Sequence, residues 1–238
     1  MNDLFRQTVE QGCKILGIEI TSAIIDKFEI YYQMLYKSNK EYNLTSITET
    51  VEAAEKHFID SLTLYREISA VTGALVIDIG SGAGFPGLPL KIYNSNIDMT
   101  LVDSVGKKVK FMQQVIQELK LVKTIALKAR AEDLAADSRE KYDAAISRAV
   151  AELRVLVEYA LPLVKVGGVF IAAKGPKIEE ELNLADRAIK ILGGKIMSIR
   201  KVSLPINNEG RTIVTIKKVG HTPGKYPRKA GIPKKRPL

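Results

Sequence analysis

The chain reads as an α/β protein: a seven-stranded, mostly parallel sheet with a terminal antiparallel hairpin, preceded by a helical extension. Three observations predict this. From Ala74 onward, short apolar runs alternate with stretches of helical periodicity, as in a parallel sheet covered on both faces. The last two runs are joined only by Leu204-Pro-Ile-Asn-Asn-Glu-Gly210, too short for a crossover helix, so they pair antiparallel. The first run, Ala74–Ile77, leads straight into Asp78-Ile-Gly80-Ser-Gly82-Ala-Gly84-Phe85-Pro86-Gly87, a sharp strand-to-loop turn.

The elements follow in order. Residues 2–17 and 21–40 have helical spacing, and Ile24, Phe28, Tyr31, Tyr32 and Leu35 form one apolar stripe behind Thr21, an N-cap candidate. Asn43-Leu-Thr-Ser46 reads as a loop and cap before a helix over 48–69. Strands are expected at 74–79, 98–103, 123–128, 142–147, 167–173, 195–203 and 211–218. Helices are expected near 87–93, 105–120, 151–163 and 177–193; the second carries Val105, Val109, Met112, Ile116 and Leu119 on one face.

Ligands of open α/β sheets bind beyond the C-terminal strand ends, where strand order reverses. The first end offers Asp78 and the glycine loop, whose bare backbone lets a ligand approach closely. A dinucleotide fingerprint would need glycine at 85, where Phe85 stands. The second end is Asp103, either an acceptor for ribose hydroxyls or a cap for the next helix. The third leads to Ala131 and Glu132, which suit an adenine edge or, for the acid, a helix N-terminus. The fourth ends Ser147-Arg148-Ala149, with Arg148 free to act on a ligand or to pair with Asp78 or Asp103.

Composition limits the function. Of 36 Lys and Arg residues, nine lie in 210–238, a stretch with no acid, so 1–209 balances 27 bases against 27 acids. That stretch also holds Pro223, Pro227, Pro233 and Pro237, and is expected to be an extended, mobile cationic arm suited to RNA phosphates. Lys225, Arg228, Lys229, Lys234, Lys235 and Arg236 would meet phosphates, and Tyr226 would stack on a base. Removing 219–238 should then weaken RNA binding and leave cofactor affinity intact. No run is long enough to span a bilayer, and one cysteine with two histidines makes a metal site improbable. A cytoplasmic, metal-free protein is expected.

The Asp78–Gly84 pattern resembles the first motif of class I S-adenosylmethionine (AdoMet) methyltransferases. Further stretches narrow this: Glu41–Ile47, His57-Phe-Ile-Asp-Ser-Leu62, Leu101–Ser104, Arg130-Ala-Glu132, Ile146–Val150 and Tyr226–Gly231. Together they resemble the glucose-inhibited division protein B family of ribosomal RNA methyltransferases. The resemblance implies a class I methyltransferase fold, with a helical extension over 1–70, an AdoMet domain over 71–218 and a tail over 219–238. It implies methyl transfer to N7 of a guanine in the 530 loop of 16S rRNA (guanine 527), in the small ribosomal subunit. It places cofactor contacts at Asp78, Gly80, Gly82, Gly84, Phe85, Asp103, Ala131, Glu132 and Arg148, with Arg148 also positioning the base.

What the chain lacks agrees with that target. N7 carries a free lone pair and needs no general base, so alignment and water exclusion suffice. Ser147-Arg148-Ala149 replaces the Asn/Asp-Pro-Pro-aromatic motif common in exocyclic-amine methylation, and Cys13 lies far from every strand end. Asn43 and His57 read more simply as cap and core residues, and Lys174 as a rim residue near phosphate. The competing function is a non-catalytic RNA-binding assembly factor on the same fold.

Overall fold

The computed structural model describes residues 3–69, 74–148 and 150–238. The strands are β1 Leu75–Ile79, β2 Asp98–Asp103, β3 Thr124–Lys128, β4 Tyr142–Arg148, β5 Val164–Lys174, β6 Gly194–Ser203 and β7 Gly210–Lys218. They form one sheet in the order β3-β2-β1-β4-β5-β7-β6, parallel except that β7 runs antiparallel to both neighbours. The expected seven-stranded sheet with its closing hairpin is therefore present. Strand order reverses between β1 and β4, where a site is expected. The boundary expected at 70/71 lies outside the described residues, as does Ala149.

Alternation along each strand separates two cores. Val76, Leu101, Ile146 and Ile171 face helices α1 (Asp3–Ile15), α2 (Ser22–Tyr42), α6 (Gly87–Tyr93) and α7 (Gly106–Glu118). Ile77, Val102, Ala145 and Phe170 face α8 (Ala131–Asp137), α9 (Leu153–Ala160) and α10 (Glu179–Ile191). The α2 stripe is buried as its spacing requires: Phe28, Tyr31 and Leu35 are almost fully enclosed, and each such side chain contributes about 1.5–3 kcal/mol. On α7, Val109, Met112 and Leu119 of the stripe are buried and Ile116 is partly so, while Val105 at the N-cap stays exposed. Thr21 caps α2 by accepting the Ile24 N–H, and Asn43 ends that helix in the left-handed region at φ 48°.

The helix expected over 48–69 is broken into pieces. Thr50–Ala53 (α3) passes into a π-helical turn, Ala54–Ile59, then Asp60–Leu62 (α4) and, after Thr63-Leu64, Tyr65–Ser69 (α5). Such wide turns recur at functional sites. Here Glu55, buried in the turn, accepts the Ile206 and Asn207 N–H groups and pins the β6–β7 loop to the extension.

The tail does not behave as an extended arm. Arg139 donates to the carbonyls of Thr222, Pro223 and Tyr226, and Arg228 grips the buried Glu158 through Nε and Nη2 at 2.5–3.2 Å. Gly231 N–H donates to Glu132, Pro233 is buried, and Ile232–Lys235 forms a short helix, α11. Acidic side chains of the body thus hold a segment whose own composition is too polar to fold alone. Composition counts the tail's charges and cannot see these partners.

Candidate active site

The first cleft opens where β1 turns into the glycine loop. Gly80 and Ser81 N–H groups both donate to Val102 O, at 2.8 and 3.0 Å, folding the loop back over β2. Gly84 lies at φ +104°, and a Cβ there would come 2.4 Å from Leu88 and 2.6 Å from the Tyr31 hydroxyl. That hydroxyl donates to Ala83 O at 2.5 Å, so the helical extension clamps the loop. Asp78 lies beneath it, fully buried, where Oδ2 accepts the Gly87 N–H at 2.9 Å. Burial pushes its carboxyl up to about 7.

The cleft, about 400 Å³, is lined by Gly80, Asp103, Ser104, Lys108, Ala131, Glu132, Val150 and Tyr159, among others. Asp103 binds Gly82 N–H through Oδ2 and Val105 N–H through Oδ1, at 2.9 and 2.8 Å. Each oxygen keeps a lone pair for a hydroxyl, so the ribose and helix-cap readings coexist. A nucleoside fits this lining, with acceptors at Asp103 and Glu132. Of the sequence-predicted cofactor residues, the cleft brings together Gly80, Asp103, Ala131 and Glu132. Gly82, Gly84 and Phe85 shape the loop behind it, and Asp78 braces the loop from below instead of facing the cleft.

Arg148 belongs to a second cleft, about 380 Å³, which also holds Ile47, Lys56, His57, Asp60, Lys174 and Arg211. The alternative reading, an ion pair with Asp78 or Asp103, does not hold. Arg148 Nη1 donates to Lys56 O at 2.8 Å and to Asp60 Oδ2 at 3.1 Å. The same oxygen accepts Arg211 Nε at 3.1 Å, so one buried carboxylate orders two arginines. Asp60 comes from the helical extension, and no local spacing links it to β4. Its one signal in the sequence is its place in the His57–Leu62 stretch.

Phe85 packs between Tyr31 of the helical extension and His57 of the second cleft. It leaves the glycine loop, stacks on His57 at 4.4 Å between ring centres, and lies 5.7 Å from the Arg148 guanidinium carbon. His57 Nε2 is 3.0 Å from Thr45 Oγ1, and burial, helped by Arg148, lowers the imidazole to about 3, so it is neutral at physiological pH. Lys174 is held by Ala151 O and Glu181 at the rim. A larger cleft of about 470 Å³, near Leu16, Tyr93 and Arg200, includes neither the glycine loop nor Arg148.

The tail residues divide. Lys225, Lys229, Lys234, Lys235 and Arg236 are exposed. Arg228 is paired with Glu158, and the Tyr226 ring is buried in the second core, so it is not open to stack on a base as expected.

A family model for rRNA small subunit methyltransferase G matches residues 24–209. A protein of that name from Desulforamulus reducens is 49% identical over 240 residues, covering all of both chains. Another from Pelotomaculum thermopropionicum is 47% identical over 234 residues, covering 98% of each. The chain belongs to this family. Solved structures add the fold alone. An rRNA methylase from Streptococcus thermophilus superposes with a TM-score of 0.51 at 16% identity, covering 66% of this chain and 95% of that one. M. jannaschii TYW2 in complex with AdoMet gives 0.53 at 15% identity, covering 67% and 77%. The family and the fold together make this an AdoMet-dependent rRNA methyltransferase. Among the described residues, no helix is long and apolar enough to cross a membrane, and no His/Cys/Asp/Glu group suits a metal.

Proposed function

We propose that the first cleft holds AdoMet and the second receives the target guanine, guanine 527 of 16S rRNA, for methylation at N7. The observation that carries this reading is the packing that ties the two clefts together: Phe85 leaves the glycine loop and stacks on His57, beside Arg148, in the neighbouring cleft. AdoMet supplies an electrophilic methyl on a sulfonium. Asp103 accepts its ribose hydroxyls, and Glu132 and the backbone at Ala131 take the adenine. The guanine N7 lone pair attacks directly, so no side chain has to remove a proton first. The residues act by orientation and by excluding water. Arg148, fixed through Nη1, directs its remaining N–H groups at guanine O6 or a flanking phosphate. A neutral His57 adds no positive charge beside a base that is itself becoming cationic.

Exposed Lys225, Lys229, Lys234, Lys235 and Arg236 give the small subunit a docked cationic surface instead of a loose arm, and the reaction belongs in the cytoplasm. Tritiated AdoMet supplied with small subunits lacking the modification, followed by mapping of the label, tests the reading. Label at N7 of guanine 527 is expected. Label in protein or at another nucleotide would overturn it.

A further inference from the structure

Guanine and adenine both carry N7, so the attacking atom cannot tell one purine from the other. Discrimination has to come from the Watson–Crick edge, where guanine presents N1–H and the 2-amino group as donors and adenine presents N1 as an acceptor. Two polar atoms of the second cleft are buried with no hydrogen-bond partner: Oδ1 of Asp60 and Nδ1 of His57. Both residues are more than nine-tenths buried, and both line the cleft beside Arg148. A buried polar atom without a partner costs stability, and this cleft holds two.

Their surroundings fix what they can receive. Asp60 Oδ2 is already committed to Arg148 and Arg211, which holds Oδ1 in one orientation. His57 is held between the Phe85 ring and Thr45; the tautomer that donates Nε2–H to Thr45 leaves an Nδ1 lone pair facing the cleft, and this is the tautomer assigned to it. Two acceptors therefore stand together in the cleft beside Arg148. We propose that Asp60 and His57 are the specificity-determining residues of the acceptor cleft, accepting the N1–H and 2-amino protons of the target guanine. The assignment rests on the function proposed above and adds the residues that read the base. Adenine would turn its N1 lone pair towards these acceptors and be rejected.

The test crosses two enzyme variants with altered target bases. Small subunits are reconstituted with guanine, hypoxanthine (inosine, which lacks the 2-amino group) or adenine at position 527. Single-turnover transfer is measured for the unaltered protein, Asp60→Asn and His57→Asn, with AdoMet affinity measured separately by calorimetry. The unaltered protein should lose about tenfold or more on inosine and transfer little to adenine. At least one variant should lose about tenfold or more on guanine and markedly less on inosine, because the contact has already gone, while AdoMet affinity holds. Asn at 60 can turn its amide donor towards the base, so guanine-over-adenine preference should narrow in that variant. Equal losses on guanine and inosine in both variants would overturn the proposal, because they would mean a structural role. So would an unaltered protein indifferent to inosine. A failure of the unaltered protein to methylate guanine 527 at all would instead bring down the reading beneath it.

Discussion

The two clefts, the one at the glycine loop and the one around Arg148, are built in opposite ways. The cofactor cleft is local: strand ends and the turns that follow them, with Gly80, Asp103 and Glu132 placed by regular βα geometry. The acceptor cleft is assembled across the chain, from a π-helical turn at 54–59, the end of β4 and the start of β7, through one carboxylate shared by two arginines. A fold shared by many methyltransferases supplies the first. The added helical extension supplies the second, which suggests that donor chemistry resides in the core and target choice in what is attached to it.

The largest effect should come from the acceptor cleft. Arg148→Ala should lower transfer at least about a hundredfold, the cost typical of losing a positioned donor. It also leaves Asp60 with one arginine fewer, so melting should be followed alongside. Near-normal turnover would remove Arg148 from the mechanism and detach the acceptor cleft from the account.

Next is truncation after Lys218. The fully buried Glu158 loses Arg228, and stranding a buried charge costs about 3–5 kcal/mol. Glu132 loses the Gly231 N–H, so AdoMet affinity should fall as well. Calorimetry and thermal melting check both. Intact stability with intact AdoMet affinity would restore the mobile arm that composition suggests.

The pH dependence separates the clefts by sign. Asp78 lies at about 7 in the folded chain against 3.8 ordinarily. Between those values the unfolded chain has shed a proton the folded chain keeps, so this group subtracts stability as pH rises through that window. His57 lies at about 3 against 6.5. As pH falls from about 6.5 to 3 the unfolded chain takes up a proton the folded chain refuses, so stability is lost towards acid. Melting of Asp78→Asn should therefore decline less towards neutrality, and that of His57→Asn less towards acid. Identical pH profiles in all three proteins would contradict both assignments. The smallest effect belongs to the extension's own local signals. Thr21→Ala should cost about 1 kcal/mol by denaturant unfolding, with transfer by the folded protein unchanged.

The same contrast explains what the sequence showed. Strands, the closing hairpin, the α2 stripe and the Thr21 cap were legible because each depends on neighbours within a turn or a strand. The bond from Asp60 to Arg148 spans 88 residues, and that from Arg228 to Glu158 spans 70. No periodicity encodes such pairs. The tail was misread for this reason: its prolines and cations describe a chain without partners, whereas Glu158, Glu132 and Arg139 supply them. Asp78 was placed in the cofactor site by its position in the motif, yet it works one layer down, holding the loop through Gly87.

The central claim is that donor and acceptor occupy neighbouring clefts tied together by the Phe85–His57 stack. A crystal structure with a bisubstrate analogue, an adenosyl group tethered to N7 of guanosine, tests it most directly. Adenosine against Asp103 and Glu132, with guanine beside Arg148 and its edge towards His57 and Asp60, is the predicted result. Guanine lying away from Arg148, or adenosine in the cleft near Tyr93 and Arg200, would contradict the account.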